Sequence, residues 1–142
     1  MAAIFNDVFG RLTWDGQLDC WLGGIDWPPG LHTEVAIWQP GDDVAAGLGL
    51  AREGLDWLQG HEGHVRRCVA EKLLAVYNGA WCGDEGPLGE AAFLRRLELV
   101  RIGFEEDGSL LLSYDSQGLF GGHLIDAEFG PDRSFRGAHL IG

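Results

Sequence analysis

Cysteine and positive charge are both scarce in this sequence, and each shortage excludes a class of protein. The three cysteines, Cys20, Cys68 and Cys82, are odd in number and lie far apart, so they do not make a disulfide framework. No apolar run approaches the roughly 20 residues that a membrane-spanning helix needs, and the first residues lack the basic and apolar blocks of a signal peptide. These absences predict a reduced, cytoplasmic protein.

Acidic residues outnumber basic ones by 22 to 10, which gives a formal charge of −12 at pH 7. A field of that sign repels phosphate backbones and anionic lipids, so it argues against nucleic-acid binding and membrane binding. It would attract a basic protein partner. The alternative is that the charge only keeps a small protein soluble.

The composition is that of one well-packed globular domain. Hydrophobic residues make up 46 % of the 142 residues, with six Trp and seven Phe among them. A chain of this length buries roughly 70 % of the surface that it exposes when unfolded. The chain has no repeat and no linker, so residues 1–142 are predicted to form a single domain.

The first part of the chain alternates as strands do, and helical spacing follows. Three strands are predicted: a hairpin over Gly10–Ile25 that turns at Asp15-Gly16, and a strand over Leu31–Gln39. Apolar residues then recur at helical spacing in three segments. The predicted helices are one capped by Asp42 or Asp43, a second over His64–Ala80 after a glycine-rich break, and a short third over Gly89–Leu97.

From residue 98 onward the strand period returns, in four segments that are predicted to form an antiparallel meander. Strands and helices in separate runs are typical of the α+β class, whereas an alternating order would indicate a parallel sheet. We therefore expect an α+β fold with three N-terminal strands, two to three central helices and a four-stranded C-terminal meander. The pattern leaves open whether the strands form one sheet or two.

Three short motifs together span nearly the whole chain: Phe9-Gly10-x-Leu12-x-Trp14, Leu73-Leu74-x-x-Tyr77-Asn78-x-x-Trp81 and Asp115-x-x-x-Leu119-Phe120-x-Gly122-His123-x-Ile125. The set resembles uncharacterised bacterial families known only as domains of unknown function, whose members more often carry Trp where this chain has Gly121. Some families of this type look like immunity proteins, encoded beside secreted bacterial toxins that they neutralise. The resemblance thus implies a toxin inhibitor and brings no catalytic residue with it.

His123 follows Gly121-Gly122 in a segment that alternates like a strand. If Leu119–Phe129 is a strand, the imidazole shares a face with apolar side chains. That placement favours a histidine at the edge of the core, hydrogen-bonded to Asp115 or Tyr114. The two glycines then mark a bulge or a close backbone approach. The alternative is a ligand site for which the glycines leave room.

His61, His64 and Cys68 have a spacing that places nitrogen and sulfur donors in one sector of a helix, as a zinc site requires. A fourth ligand would have to come from Cys82 or Asp84. A buried cysteine is more often just a small apolar side chain. We predict no metal and no cofactor, and these three residues are the candidate ligands if a metal binds.

The remaining motifs of catalysis are missing. No serine lies in a G-x-S-x-G turn, no spacing favours a Cys–His pair, and no glycine-rich loop is built to hold phosphate. Carboxylate pairs such as Asp84-Glu85 and Glu105-Glu106 fall in predicted turns, where solvated acidic residues are ordinary.

An acidic rim around a tryptophan is the predicted partner-binding surface. Such a rim speeds the encounter with a basic partner, and the indole ring supplies much of the affinity. Its members would come from loops that gather at one end of the fold: Trp27, Asp26, Asp42, Asp43, Asp84 and Glu85. The alternative is that these are unrelated, solvated loops.

The sequence therefore favours a non-enzymatic binding protein, and most concretely an immunity-type inhibitor of a basic bacterial toxin. A small hydrolase or metal-dependent enzyme, built on His123 or on the His61, His64 and Cys68 cluster, is the alternative. A small-ligand module lined by Trp side chains is a third possibility. Neither the identity of the partner nor the oligomeric state follows from the sequence.

Overall fold

The strands of this protein form one sheet, and their order in the sheet is their order along the chain. A computed structural model describes residues 2–39 and 43–142 and places eight strands in these ranges. Every neighbouring pair is antiparallel except β4 and β5, which run parallel. The bounds are β1 Ile4–Asn6, β2 Gly10–Asp15, β3 Cys20–Ile25, β4 Thr33–Ile37, β5 Glu98–Phe104, β6 Leu110–Asp115, β7 Leu124–Phe129 and β8 Phe135–Ile141.

A helical crossover joins β4 to β5, as a parallel pair requires. It consists of α1 Val44–Val76, a π-helical turn Tyr77–Trp81, a 3₁₀ turn Gly83–Glu85 and α2 Glu90–Arg96. Asp43 caps α1, since its Oδ1 accepts a hydrogen bond from the backbone N–H of Ala46 at 3.0 Å. None of the helices in the described ranges has the length and apolar content to cross a bilayer.

The predicted α+β class is confirmed, but the predicted strand grouping was wrong. The N-terminal group has four strands rather than three, because the short strand β1 pairs with β2. The meander predicted for the C-terminal part is present as β5 to β8. Pairing of β4 with β5, with Val35 opposite Ile102, joins the two groups into one sheet.

The predicted helix count was also wrong, because two predicted helices are halves of α1. Only His61 leaves helical geometry, with φ −131° and ψ 15°, and it marks a kink inside the predicted break. Both halves bury the same stripe in one core, as Leu58 and Val65 show on either side of the kink. Tertiary packing of that stripe outweighs the low helix propensity of Gly60 and Gly63.

The core lies between α1 and one face of the sheet. Alternate strand residues such as Ile102, Phe104 and Leu112 are buried there, as the period of two requires. Gly54 lets α1 approach closely, because a Cβ atom at this position would lie 2.8 Å from Leu110 Cδ2. On the other face Arg101 is exposed, whereas Ser113 and Asp126 are buried, and the Ser113 hydroxyl donates to Asp126 at 2.7 Å.

Arg66 fastens α1 to the end of α2. Its guanidinium donates to the carbonyl oxygen of Leu97 at 2.7 Å and also to that of Leu94. Leu97 directly follows α2, where helical partners run out, and the carbonyl of Leu94 also accepts the N–H of Leu97 at 3.2 Å. The same guanidinium lies 3.5 Å from the Glu62 carboxylate.

Candidate functional site

One end of the sheet carries a concentration of carboxylates. The strand register brings Ile37, Phe104, Leu110, Phe129 and Phe135 together as a row at this end. The connections next to this row are acidic. We call their carboxylates, together with Asp15 of β2 and Glu128 of β7, the acidic end: Asp15, Asp19, Asp43, Glu105, Glu106, Asp107, Glu128 and Asp132.

A cavity of about 400 Å³ opens within the acidic end. The tight β5–β6 turn supplies most of its lining, and β7 and β8 each add one side chain. The lining residues are Glu105, Glu106, Asp107, Ser109, Glu128 and Arg136. The cavity therefore faces any entering group with four carboxylates and one guanidinium.

Hydrogen bonds within the β5–β6 turn hold these carboxylates on a fixed backbone. The N–H of Glu105 donates to the carbonyl of Ser109 at 2.9 Å, and the N–H of Gly108 donates to the carbonyl of Glu105 at 3.0 Å. Asp107 Oδ1 accepts the N–H of Ser109 at 2.8 Å. Gly108 has φ +92°, a conformation that glycine adopts without steric cost.

The surroundings shift the pKa values of two carboxylates of the turn in opposite directions. The pKa of Glu105 is raised by burial first, and then by the negative charges of Asp107, Glu128 and Glu106. The pKa of Asp107 is lowered, chiefly by its hydrogen bonds to Ser109. The Asp107 carboxylate thus stabilises the turn. The ionised form of Glu105 is disfavoured, and a cation would stabilise it.

Few basic side chains offset the charge of the acidic end. Arg136 lies 3.3 Å from Glu128 Oε1. Arg133 donates to the backbone carbonyl of Gly108 at 2.8 Å rather than to a carboxylate. Other arginines form ion pairs elsewhere: Arg52 with Asp7, Arg66 with Glu62, Arg96 with Glu85 and Arg101 with Glu34. At the acidic end, eight carboxylates thus stand against the two guanidinium groups of Arg133 and Arg136.

The residues of the predicted acidic rim lie at two ends of the sheet. Asp43 belongs to the acidic end, and Asp42 lies outside the described residues. Asp26 and Trp27 lie in the β3–β4 connection at the opposite end, where Asp26 pairs with His32 at 3.0 Å and the indole packs against the core. Trp27 therefore stands apart from the cavity.

The other two predicted rim residues also lie at the opposite end. Asp84 is exposed in the 3₁₀ turn. Glu85 accepts a hydrogen bond from Arg96 at 2.6 Å, and Arg96 donates as well to the carbonyl of Gln117 in the β6–β7 connection. The bond from Arg96 is the main reason that the pKa of Glu85 is lowered.

His123 lies just before β7, which begins at Leu124 rather than Leu119. Its Nδ1 is 3.3 Å from the carbonyl oxygen of Ile141, and its ring meets Trp81 edge to face at 5.9 Å. The predicted partners bond elsewhere: Asp115 accepts from the N–H of Gln117, and Tyr114 donates to Glu62.

The two glycines before His123 both have positive φ, 64° at Gly121 and 90° at Gly122. They belong to successive tight turns between β6 and β7. A Cβ atom on Gly121 would lie 3.4 Å from the Trp81 ring, and one on Gly122 would meet open space. The two sequence motifs that contain Tyr77 and Phe120 are in contact, because the centroids of these two rings lie 5.8 Å apart.

The three candidate metal ligands do not converge on one point. His61 stacks on Trp57 and its Nδ1 is 2.7 Å from the Trp57 carbonyl oxygen, while His64 Nε2 lies 3.6 Å from Cys68 Sγ. Across residues 2–39 and 43–142, no group of three or more His, Cys, Asp or Glu side chains is placed to hold a metal ion.

The buried thiols are not activated as nucleophiles. Burial, together with nearby carboxylates, raises the pKa of both Cys20 and Cys68. A catalytic cysteine needs the opposite shift, since the thiolate is the reactive form. Cys82 is partly buried, and its thiol donates to the carbonyl of Asn78 at 3.4 Å.

The sequence pointed to part of the cavity and missed the rest. The run Glu105-Glu106-Asp107-Gly108 is a hairpin signal with three carboxylates, and it could have been singled out as a local acidic site. Glu128 and Arg136 reach the same cavity only because β6, β7 and β8 pair in a particular register. No short-range signal in the sequence gives that register.

The fold and the cavity define the class: an α+β domain with one sheet that presents a carboxylate-lined cavity at one end. The chain belongs to the family described as an uncharacterized protein conserved in bacteria (DUF2262), whose model matches residues 6–140. The resemblance to an uncharacterised bacterial family is thereby confirmed, without a link to toxins. No curated protein and no solved structure matches the chain.

Proposed function

We propose that this protein is a non-enzymatic binding protein whose acidic end receives a basic segment of another protein. The observation that carries the proposal is the open cavity of about 400 Å³, which four carboxylates and one guanidinium line. A lysine or arginine side chain matches that lining in charge and in hydrogen-bonding capacity.

The electrostatics of Glu105 support the proposal. Burial and three neighbouring carboxylates disfavour its charged form, as the raised pKa records. Like charges placed this close destabilise the fold, so the arrangement costs stability in the free protein. A cation that enters the cavity would relieve the repulsion, and binding would then stabilise the protein.

The test compares two double variants that remove the same amount of charge from opposite ends. Glu105→Gln with Glu106→Gln removes two of the four carboxylates of the cavity, and Asp26→Asn with Asp84→Asn is the matched control. Calorimetric titration with oligolysine at low salt measures the affinity of each. We expect the cavity variant to lose about 3- to 10-fold in affinity, because each exposed ion pair contributes about 0.2–1 kcal/mol.

The control variant should bind oligolysine nearly as well as the unmodified protein. Equal losses in the two variants would mean that only the net charge matters, and the proposal would then be wrong. Added salt should weaken binding to the unmodified protein, since charges at the surface are screened over roughly 8–10 Å.

The finer form of the proposal is an immunity-type inhibitor that occludes a basic toxin, such as a nuclease. Its support is the charge of −12, which favours fast association with a positively charged partner. Co-expression with the products of adjacent genes tests it. The expected result is a complex with a product that is toxic alone, and the absence of any toxic neighbour would contradict this form.

A further inference from the structure

β8 is the last strand of the sheet, so one of its sides is an edge. It pairs with β7, and within the described part of the chain no strand lies on its other side. Its seven residues, Phe135–Ile141, span roughly 23 Å. Backbone N–H and C=O groups along such an edge can pair with an added strand.

The edge of β8 adjoins the cavity. Arg136, its second residue, lines the cavity and pairs with Glu128, so its charge is partly offset. The next residues are small, and a Cβ atom added at Gly137 would meet no atom within 4 Å. Space is therefore open beside Gly137, which has φ +146° next to a register shift in the β7–β8 pairing, whereas Ala138 is buried.

The other edge of the sheet is a poorer template. β1 has three residues, Ile4–Asn6, and its central residue Phe5 is 78 % exposed. A strand this short offers few backbone groups, which is one of the ways in which proteins protect sheet edges. β8 is the edge that has both length and an acidic neighbourhood.

We propose that the basic partner docks as an extended strand on β8, with its backbone paired to Gly137–Ile141 and a basic side chain in the cavity. This inference rests on the proposed function, because the charge of the cavity selects the occupant. A second copy of this chain would bring −12 onto −12, whereas a basic segment is attracted. Strand addition of this kind takes its affinity from main-chain bonds and its specificity from alternate side chains.

The test uses the whole protein and varies the probe, so that folding of the protein is not in question. Three peptides are compared: one that alternates Lys and Val, the same peptide with N-methylated backbone amides on its pairing edge, and one that alternates Glu and Val. Amide hydrogen exchange is measured at each residue of β8, with β1 as the internal control.

We expect the Lys–Val peptide to slow exchange about 10-fold or more at the outward-facing amides of Gly137–Ile141, with no change in β1. The N-methylated peptide should bind about 10-fold more weakly, because it loses main-chain hydrogen bonds. The Glu–Val peptide should give no protection, because the acidic end repels it.

Three results would overturn the inference, and one of them would also overturn the proposed function. If both Lys peptides bind equally and β8 stays unprotected, the partner is held by charge alone, and only the strand-addition inference is wrong. If neither Lys peptide binds at low salt, the proposed function is wrong as well. Protection of β8 without peptide, in a dimer seen by sedimentation, would assign the edge to a second copy.

Discussion

At the scale of single residues, Glu105 is the side chain on which the electrostatic argument depends. Three carboxylates face it, and burial removes part of the water that would stabilise its charge. The sequence predicts the turn that carries it, since Glu106, Asp107 and Gly108 form a hairpin signal. Its crowding by Glu128 depends on strand register and could not be predicted from the turn alone.

Glu105→Gln should stabilise the free protein at pH 7. A carboxyl with a raised folded pKa contributes its full stability below the ordinary value of 4.5 and loses it as the pH rises through the folded pKa. Gln keeps the shape without the charge, so the gain should be on the order of 0.5 kcal/mol, reduced by solvent screening. Thermal unfolding from about pH 4 to pH 8 measures it.

Glu53→Gln is the matched control, because Glu53 is exposed on α1 outside the cavity. The difference in melting temperature between the two variants should be largest at neutral pH and should vanish toward pH 4. A difference that does not change with pH would show that repulsion at Glu105 is not its source.

Arg66→Ala should destabilise the fold by about 1–3 kcal/mol, because the carbonyl of Leu97 loses the guanidinium donor and that of Leu94 keeps only the N–H of Leu97. Arg67→Ala is the control, since Arg67 is the exposed neighbour on the same helix. Urea unfolding compares the two free energies of unfolding. Equal values would mean that the bonds from Arg66 do not hold α2 in place.

At the scale of elements, α1 shows how tertiary packing overrides local propensity. The glycine-rich stretch Gly60–Gly63 predicts a break between two helices. The structure instead has one continuous helix with a kink at His61. Local pattern locates the irregularity, but the buried stripe on both sides decides that the helix continues. β1 was missed because its three residues are too few to show alternation.

Glycines along α1 should respond to alanine in opposite ways. Gly60→Ala should raise stability by about 0.5–1 kcal/mol, because its Cβ meets nothing within 4 Å and alanine favours the helix. Gly54→Ala should lower it by about 1–3 kcal/mol, because its Cβ would press against Leu110 and Phe104. Thermal unfolding of the two variants checks the sign, and a gain at Gly54 would contradict the close packing of α1 on the sheet.

At the scale of the whole molecule, one parallel pair of strands determines where the acidic connections lie. β4 beside β5 joins two antiparallel groups, so connections from both groups come together at the acidic end. The α+β class and the total charge of −12 can be predicted from the sequence, because neither depends on the order of the strands in the sheet. The position of that charge depends on strand order, which short-range patterns do not contain. This is why the predicted rim places Trp27 with Asp43, although they lie at opposite ends.

The central claim is that negative charge is gathered at one end of the sheet to receive a basic partner. The most direct test is to map oligolysine on the isotopically labelled protein by NMR at low salt. Shifts should concentrate in residues 105–109 and 128–136 and should spare residues 26–32 and 84–88. Shifts of equal size at both ends, or confined to the end that holds Trp27, would contradict the claim.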